Sequence, residues 1–182
     1  KQLLLGCGFL HKNKVMHRDI KSANILLNDQ GIVQLADFGL GRQLGSKALH
    51  LQSRHIVVQS SIIAVRMKTY NHKVDVWSIG CVFAELLQDR FFLKVILLLY
   101  FRVNIVPIIE KIYEVCGDLE QNEFTEDYLR GCVYVNDMKP KKPFKNTLSA
   151  FIKKINPNID DLTIKFLQGL LELNPYKRLS CE

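Results

Sequence analysis

Residues 17–39 form the segment that most restricts how this chain can fold. They read His-Arg-Asp-x-Lys-x-x-Asn, then two short apolar runs, then Asp-Phe-Gly. The apolar runs flank the turn residues Asn28-Asp29-Gln30-Gly31, a pattern that predicts a β-hairpin. A short hairpin between Asn24 and Asp37 would bring these two oxygen-bearing side chains to one side of a cleft.

The polar residues around the predicted hairpin are of the types that phosphoryl transfer requires. That reaction needs a carboxylate to accept the proton of the nucleophile, hard oxygen ligands for Mg²⁺ on the triphosphate, and a cation for the moving phosphoryl group. Asp19, Lys21, Asn24 and Asp37 supply these types in one segment. The Asp-Phe-Gly triplet alone is a weak signal, whereas the complete ordered set with this internal spacing is a strong one.

The ordered set resembles the catalytic and metal-binding loops of eukaryotic protein kinases. The resemblance implies that Asp19 is the catalytic base, that Lys21 contacts phosphate as in Ser/Thr kinases, and that ATP and Mg²⁺ are used. It also implies that Asn24 and Asp37 hold Mg²⁺ and that Arg18 receives an activation-loop phosphate. The other residues of these motifs carry implied structural or regulatory roles: His17, Phe38, Gly39 and Arg42.

Two later motifs extend the resemblance. Residues 75–80 read Asp-Val-Trp-Ser-Ile-Gly and resemble the start of the central kinase helix. The resemblance implies that Asp75 buries its carboxylate against amides of the catalytic loop, in a structural role, and that Trp77 lies in the core. Residues 173–178 resemble the late Leu-Asp-Pro-x-x-Arg signature, which ends in Arg178 here, although Asn174 replaces the usual aspartate.

Further stretches are similar to cyclin-dependent kinases. Residues 35–42 read Leu-Ala-Asp-Phe-Gly-Leu-Gly-Arg, and the Lys-Pro-Lys-Lys-Pro-Phe stretch at 139–144 is typical of the transcription-associated branch. This resemblance implies a Ser/Thr kinase with a protein substrate, a cyclin-type subunit and a nuclear or cytoplasmic location. It covers residues 2–43, 70–90 and 107–182.

The fold class expected from this resemblance is mainly α: the C-terminal lobe of a protein kinase, a helical bundle with a short hairpin. Apolar periodicity predicts helices near 1–12, 72–88, 108–117, 147–155 and 160–172. The N-terminal β lobe is expected to be absent, because neither Gly-x-Gly-x-x-Gly nor Val-Ala-Ile-Lys precedes His17. Residues 1–182 are then one partial kinase domain, which Lys1 in place of an initiator methionine also favours.

Three segments depart from the family pattern or extend it. Residues 44–69 form a degenerate activation segment without Trp-Tyr-Arg-Ala-Pro-Glu, and Ile62 replaces the glutamate that pairs with the late arginine in relatives. Arg178 is then buried without its partner or solvated, another carboxylate pairs with it, or the region is poorly ordered. Residues 91–109 form an atypical apolar insert, either a buried helix or, slightly favoured, a translated non-coding insertion. Residues 118–146 form the insert of this kinase group, a partner-binding surface in relatives.

Composition excludes several classes of protein. The five cysteines are odd in number and contain no Cys-x-x-Cys pair, so neither a disulfide framework nor a zinc site is expected. Lys94 and Arg102 interrupt the most apolar stretch, so no membrane span is expected. The net charge of +7 is modest, and the lysine-rich loop at 139–145 favours a solvated surface over nucleic-acid binding.

The sequence leaves three functions to compare. The first is a cyclin-dependent-type Ser/Thr kinase, present as a fragment with negligible activity and weak ATP binding on its own. The alternative is a non-catalytic, pseudokinase-like interaction module, which the altered activation segment favours. The third, a small-molecule phosphotransferase of kinase-like fold, is disfavoured by Lys21, by the complete Asp-Phe-Gly and by the helix start at Asp75.

Overall fold

The computed structural model describes residues 1–44, 71–87, 106–124 and 139–181. Within these ranges the chain is mainly helical, with two small antiparallel sheets of two strands each. The elements are α1 Gln2–Lys12, β1 Val15–Met16, β2 Ile25–Leu27, β3 Val33–Leu35, β4 Arg42–Gln43, α2 Lys73–Leu87, α3 Val106–Cys116, α4 Leu148–Ile155 and α5 Asp161–Leu170.

The predicted hairpin is present as β2 and β3. The strands pair antiparallel, with Ile25 opposite Leu35 and Leu27 opposite Val33. Asn28 shapes the turn, because its Oδ1 accepts hydrogen bonds from two backbone amides within the loop, at 3.0 and 2.9 Å. Gly31 has a φ of +73°, a left-handed conformation that glycine adopts without strain.

The second sheet joins the two ends of the motif-bearing segment. β1 precedes His17, β4 follows the Asp-Phe-Gly turn, and the two strands pair with Met16 opposite Arg42. Leu44 N also donates to Lys14 O at 2.7 Å. The sheet therefore closes residues 14–44 into a loop that holds both motifs on one side of α1.

The predicted helices agree with the structure to within a few residues. α3 ends at Cys116, and the next residue, Gly117, has a φ of +80°, which stops the helix. α5 begins after Asp160, whose carboxylate caps it by accepting from Thr163 N at 2.8 Å. Of the predicted apolar insert 91–109, residues 106–109 belong to α3, and residues 91–105 lie outside the described residues.

α2 lies between two apolar clusters. One face contacts α1 and the catalytic segment through Val76, Ile79 and Val82, and the other face contacts α3, α4 and α5. Trp77 lies in the second cluster and is 5% exposed. Gly80 permits the close approach of α5, because a Cβ atom at this position would lie 2.8 Å from Leu171 Cδ2.

The insert predicted at 118–146 is described only at its two ends. Asp118 joins these ends, since its Oδ2 accepts from Phe144 N at 2.7 Å and its own amide donates to Phe144 O at 3.2 Å. Apart from Leu44, the predicted activation segment 44–69 lies outside the described residues. Among the helices that are described, none is long and apolar enough to cross a bilayer.

Candidate active site

Asp19 is the centre of the predicted catalytic loop and is buried. Its Oδ2 accepts from Lys21 Nζ and from Asn24 Nδ2, both at 2.9 Å. Asn24 Nδ2 also donates to Asp19 O at 2.8 Å. Three of the predicted site residues therefore meet around one carboxylate oxygen.

A short turn explains why Lys21 and Asn24 both reach Asp19. Lys21 is extended, with φ −155° and ψ 161°, and residues Ser22–Asn24 then form one turn of 3₁₀-helix. Asn24 N donates to Lys21 O at 2.9 Å, which turns the chain back towards Asp19. The Ser22 hydroxyl donates to Glu85 Oε2 and so anchors the turn on α2.

His17 connects the catalytic loop to the Asp-Phe-Gly segment. Its Nε2 contacts Ala36 O at 3.0 Å, and its Nδ1 accepts from Asp19 N at 3.3 Å, so these contacts require the Nε2–H tautomer. The ring is fully buried and tilts at 54° against Phe38, with the ring centroids 4.7 Å apart. One imidazole therefore fixes the two motifs relative to each other.

Asp75 stabilises the backbone of the catalytic loop. Its carboxylate is fully buried and accepts from His17 N at 2.9 Å and from Arg18 N at 2.8 Å. Arg18 is buried as well and has a φ of +70°, a conformation that is unfavourable for a non-glycine residue. The contacts predicted for Asp75 are present, and they hold the backbone of the loop in this conformation.

Asp37 is close to the other site residues along the backbone but not through its side chain. Asn24 O accepts from Ala36 N at 2.9 Å, which places Asp37 one residue from that contact. The carboxylate is exposed, and its Oδ1 accepts from Gly39 N at 3.2 Å, with Asp37 at φ +61°. Within the described residues no hydrogen bond joins Asn24 directly to Asp37.

The predicted regulatory residues Arg42 and Arg178 lie in different surroundings. Arg42 is exposed on β4. Arg178 is 2% exposed, so the solvated alternative raised by the sequence is wrong. Its guanidinium donates to Glu172 O, Lys73 O and Leu173 O at 2.7, 2.7 and 3.0 Å, and lies 5.1 Å from the centre of the Trp77 ring. Three backbone carbonyls therefore accept hydrogen bonds from this cation, and motif comparison did not predict these contacts.

Comparison with known proteins identifies the family. The protein kinase domain family matches residues 1–182. The chain belongs to the protein kinase family. Cyclin-dependent kinase C-1 of Oryza sativa subsp. japonica is 31% identical over 185 residues, which cover all of this chain and 33% of the rice protein. Cyclin-dependent kinase 11 of Dictyostelium discoideum is 31% identical over 183 residues, 99% of this chain and 47% of that protein.

A solved kinase shares the fold. The crystal structure of the yeast RNA Pol II CTD kinase CTDK-1 complex contains a chain with a TM-score of 0.78 and 26% identity. The match covers 98% of this chain and 56% of that one. The chain is thus similar to cyclin-dependent kinases and to a chain of an RNA Pol II CTD kinase complex, and it spans a third to about half of their length.

Sequence reasoning missed one polar cluster outside the catalytic segment. Cys7 and His11 on α1 lie beside Cys181 near the other end of the described chain. The four-residue spacing of Cys7 and His11 places both on one face of the helix. No local pattern indicates Cys181, because its proximity depends on the tertiary fold.

Proposed function

We propose that this chain supplies the catalytic loop and the magnesium ligands of a cyclin-dependent-type Ser/Thr protein kinase. The observation that carries the proposal is the convergence of Lys21 Nζ and Asn24 Nδ2 on Asp19 Oδ2, each at 2.9 Å. A carboxylate held by an ammonium and an amide keeps a fixed orientation, which a general base needs. This arrangement agrees with the family to which the chain belongs.

Asp19 is the proposed general base. Among the described residues, both side-chain contacts of this carboxylate use Oδ2, so Oδ1 is the oxygen that accepts the proton of a substrate hydroxyl. Lys21 is partly exposed, and its ammonium can reach a phosphoryl group while it remains near Asp19. The pair thus combines proton acceptance with a positive charge beside the transferred group.

Asn24 and Asp37 are the proposed Mg²⁺ ligands. Asn24 directs its Nδ2 to Asp19, which leaves Oδ1 as the atom that a cation would bind. Asp37 offers an exposed carboxylate that follows the backbone contact between Asn24 and Ala36. Amide and carboxylate oxygens suit a hard cation, so the donor set fits Mg²⁺. When bound, Mg²⁺ would neutralise charge on the phosphates of ATP.

An apolar groove beside the site supports the proposal that this chain is the helical lobe of a two-lobed enzyme. The groove has a volume of about 400 Å³, lies between α1 and the hairpin, and includes Leu3, Leu26 and Phe38 in its lining. Leu26 and Phe38 are exposed there. Phosphoryl transfer depends mainly on positioning, so this lobe alone is expected to transfer little phosphate.

A kinase assay tests the catalytic proposal. The product of the complete gene, with a cyclin-type partner, is incubated with Mg-ATP and a peptide from the RNA Pol II CTD, the substrate named for the solved neighbour. Asp19→Asn is expected to lower kcat by about 10²–10⁴-fold, the usual contribution of a general base. Asp29→Asn, on the exposed hairpin turn, is the matched control and should keep wild-type activity. Equal activity of wild type and Asp19→Asn would contradict the proposal.

A non-catalytic interaction module is the second candidate. Its support is that three backbone carbonyls accept from Arg178, so the guanidinium has buried partners although the usual glutamate of the activation segment is missing from the sequence. This candidate predicts binding of a cyclin-type protein together with no phosphate transfer in the assay above. The first candidate predicts transfer that depends on Asp19.

A further inference from the structure

Two thiols and an imidazole meet on the side of α1 that faces α2. Cys7 is fully buried, His11 lies one helical turn later with a side chain 5% exposed, and Cys181 is partly buried. One donor atom from each residue lies within 4.8 Å of the other two. The catalytic proposal assigns no role to any of these three residues.

The position of Cys181 is fixed by the fold. Leu179 N donates to Gly169 O at 3.0 Å, and the Leu179 side chain fills the space beside that glycine. Cys181 then lies against α1 at Gly8, where a Cβ atom would be 3.4 Å from Cys181 Cβ. Gly8 therefore permits the approach that brings Cys181 to Cys7 and His11.

His11 Nε2 lies close to several electron-pair donors. Asp75 Oδ2 lies 2.9 Å from this nitrogen, and Cys7 Sγ lies 3.2 Å from it. The Cys181 sulfur lies within 4.8 Å of the Cys7 sulfur and of a ring nitrogen of His11. A single N–H can point at only one acceptor. A cation in place of the proton can be shared by all of them.

We propose that Cys7, His11 and Cys181 form a binding site for a thiophilic divalent metal ion, with Zn²⁺ as the expected occupant. Sulfur and imidazole nitrogen are the ligands that zinc prefers, at about 2.3 and 2.0–2.1 Å, in a tetrahedral arrangement. Such a tetrahedron separates its donors by about 3.4–3.8 Å. The donor atoms of the three residues lie within 4.8 Å of one another, so the two atoms that are farthest apart would have to approach each other by about 1 Å to bind one ion.

The surroundings suit a structural ion. Two thiolates balance the charge of Zn²⁺, so the buried site would carry no net charge from the ion and its sulfur ligands. Asp75 Oδ2 is an oxygen that could take the fourth position, because it already contacts the same imidazole nitrogen. The ion would join α1 to the segment after Arg178, which are far apart in sequence.

Cobalt binding tests the site in the 182-residue chain, purified in reduced and metal-free form. Co²⁺ occupies tetrahedral zinc sites and reports thiolate ligation through charge-transfer absorption and strong visible bands. We expect one Co²⁺ per chain, displaced by Zn²⁺, and a melting temperature that rises with added Zn²⁺. In Cys181→Ser and Cys7→Ser the charge-transfer band should be lost, and Co²⁺ affinity should fall at least about 100-fold.

Cys81→Ser is the matched control. Cys81 also lies on a helix and is a free thiol, but it packs against the apolar cluster of α3 to α5. This variant should retain both the cobalt spectrum and the zinc-dependent rise in melting temperature. Circular dichroism of Cys181→Ser without metal should match the wild type, which separates a lost ligand from a lost fold.

Three results would overturn the proposal. One is a reduced wild-type chain that gives no thiolate–cobalt absorption. The second is a spectrum that persists in Cys181→Ser. The third is a Cys7–Cys181 disulfide that forms in air while the reduced chain binds no metal, which would assign the pair to thiol oxidation. None of these results depends on kinase activity, so the test is independent of the catalytic proposal.

Discussion

Replacing Arg178 with methionine is expected to destabilise the folded chain by about 3 kcal/mol. The guanidinium is 2% exposed and donates three hydrogen bonds to backbone carbonyls, at 2.7, 2.7 and 3.0 Å. Methionine retains packing against Trp77 but donates nothing, and each carbonyl left without its donor costs about 1–3 kcal/mol. The lower end of this range applies, because the substitution also removes the free-energy cost of desolvating a buried charge.

Urea denaturation of the purified chain measures this loss. With a slope of about 2 kcal/mol per molar urea, the midpoint should fall by about 1.5 M. Lys177→Met is the matched control, since Lys177 is the neighbouring cation and forms a surface ion pair with Glu123 at 2.5 Å. An exposed pair contributes little, so the control should change stability by less than about 0.5 kcal/mol.

The reasoning would be refuted if Arg178→Met and Lys177→Met had the same midpoint and the same slope. In that case the three carbonyls would find other hydrogen-bond donors when the guanidinium is absent. The motif match at residues 173–178 would then not identify a stabilising residue. A larger loss for Arg178→Met at an unchanged slope supports the observed arrangement. It would also mean that the hydrogen bonds from Arg178 to these carbonyls stabilise the folded chain.

Substitutions at two further positions test a buried and an exposed carboxylate. Asp75→Ala should cost about 3 kcal/mol in urea denaturation because two catalytic-loop amides lose their acceptor, and Asp75→Asn should cost less because its amide oxygen still accepts; equal losses would argue against this role. Hydrogen bonds from Thr163 lower the pKa of Asp160 below its ordinary 3.8, so its contribution to stability is present above that pH and is lost as the pH falls through the folded-state pKa. The stability difference between wild type and Asp160→Asn should therefore shrink below about pH 4, and a difference that is constant from pH 7 to pH 3 would contradict it.

Local patterns were sufficient to predict the helices and the hairpin. The hairpin turn is stabilised by local interactions. The Asn28 side chain accepts hydrogen bonds from amides of the same turn, and Gly31 adopts the positive φ that the turn needs. The Asp160 carboxylate caps α5 by accepting from the amide of Thr163, three residues later. Gly117 stops α3 through its own positive φ. Each of these signals operates within four residues, which is why it can be read without a tertiary structure.

Contacts between distant segments could not be predicted in the same way. The motif comparison indicated that the glutamate which pairs with this arginine in relatives is missing here, and it left the partner of Arg178 open. In the structure, carbonyl groups of α2 and of the segment after α5 accept from Arg178. Cysteine spacing argued against a metal site, because that reasoning considers only neighbours along the chain. The fold brings Cys181 to Cys7 from the opposite end of the described residues.

Asp75 connects the catalytic loop to the proposed metal site through a single carboxylate. Oδ1 accepts from Arg18 N, whereas Oδ2 serves both His17 N and His11 Nε2. A cation at the thiol cluster would attract Oδ2 and so weaken its bond to His17 N first, while Oδ1 retains Arg18. The His17 ring in turn contacts Asp19 N and the carbonyl before Asp37. Asp75, for which the sequence predicted a structural role, is therefore a direct physical link between the proposed metal site and the catalytic loop, and the shared oxygen Oδ2 is the atom on which that link depends.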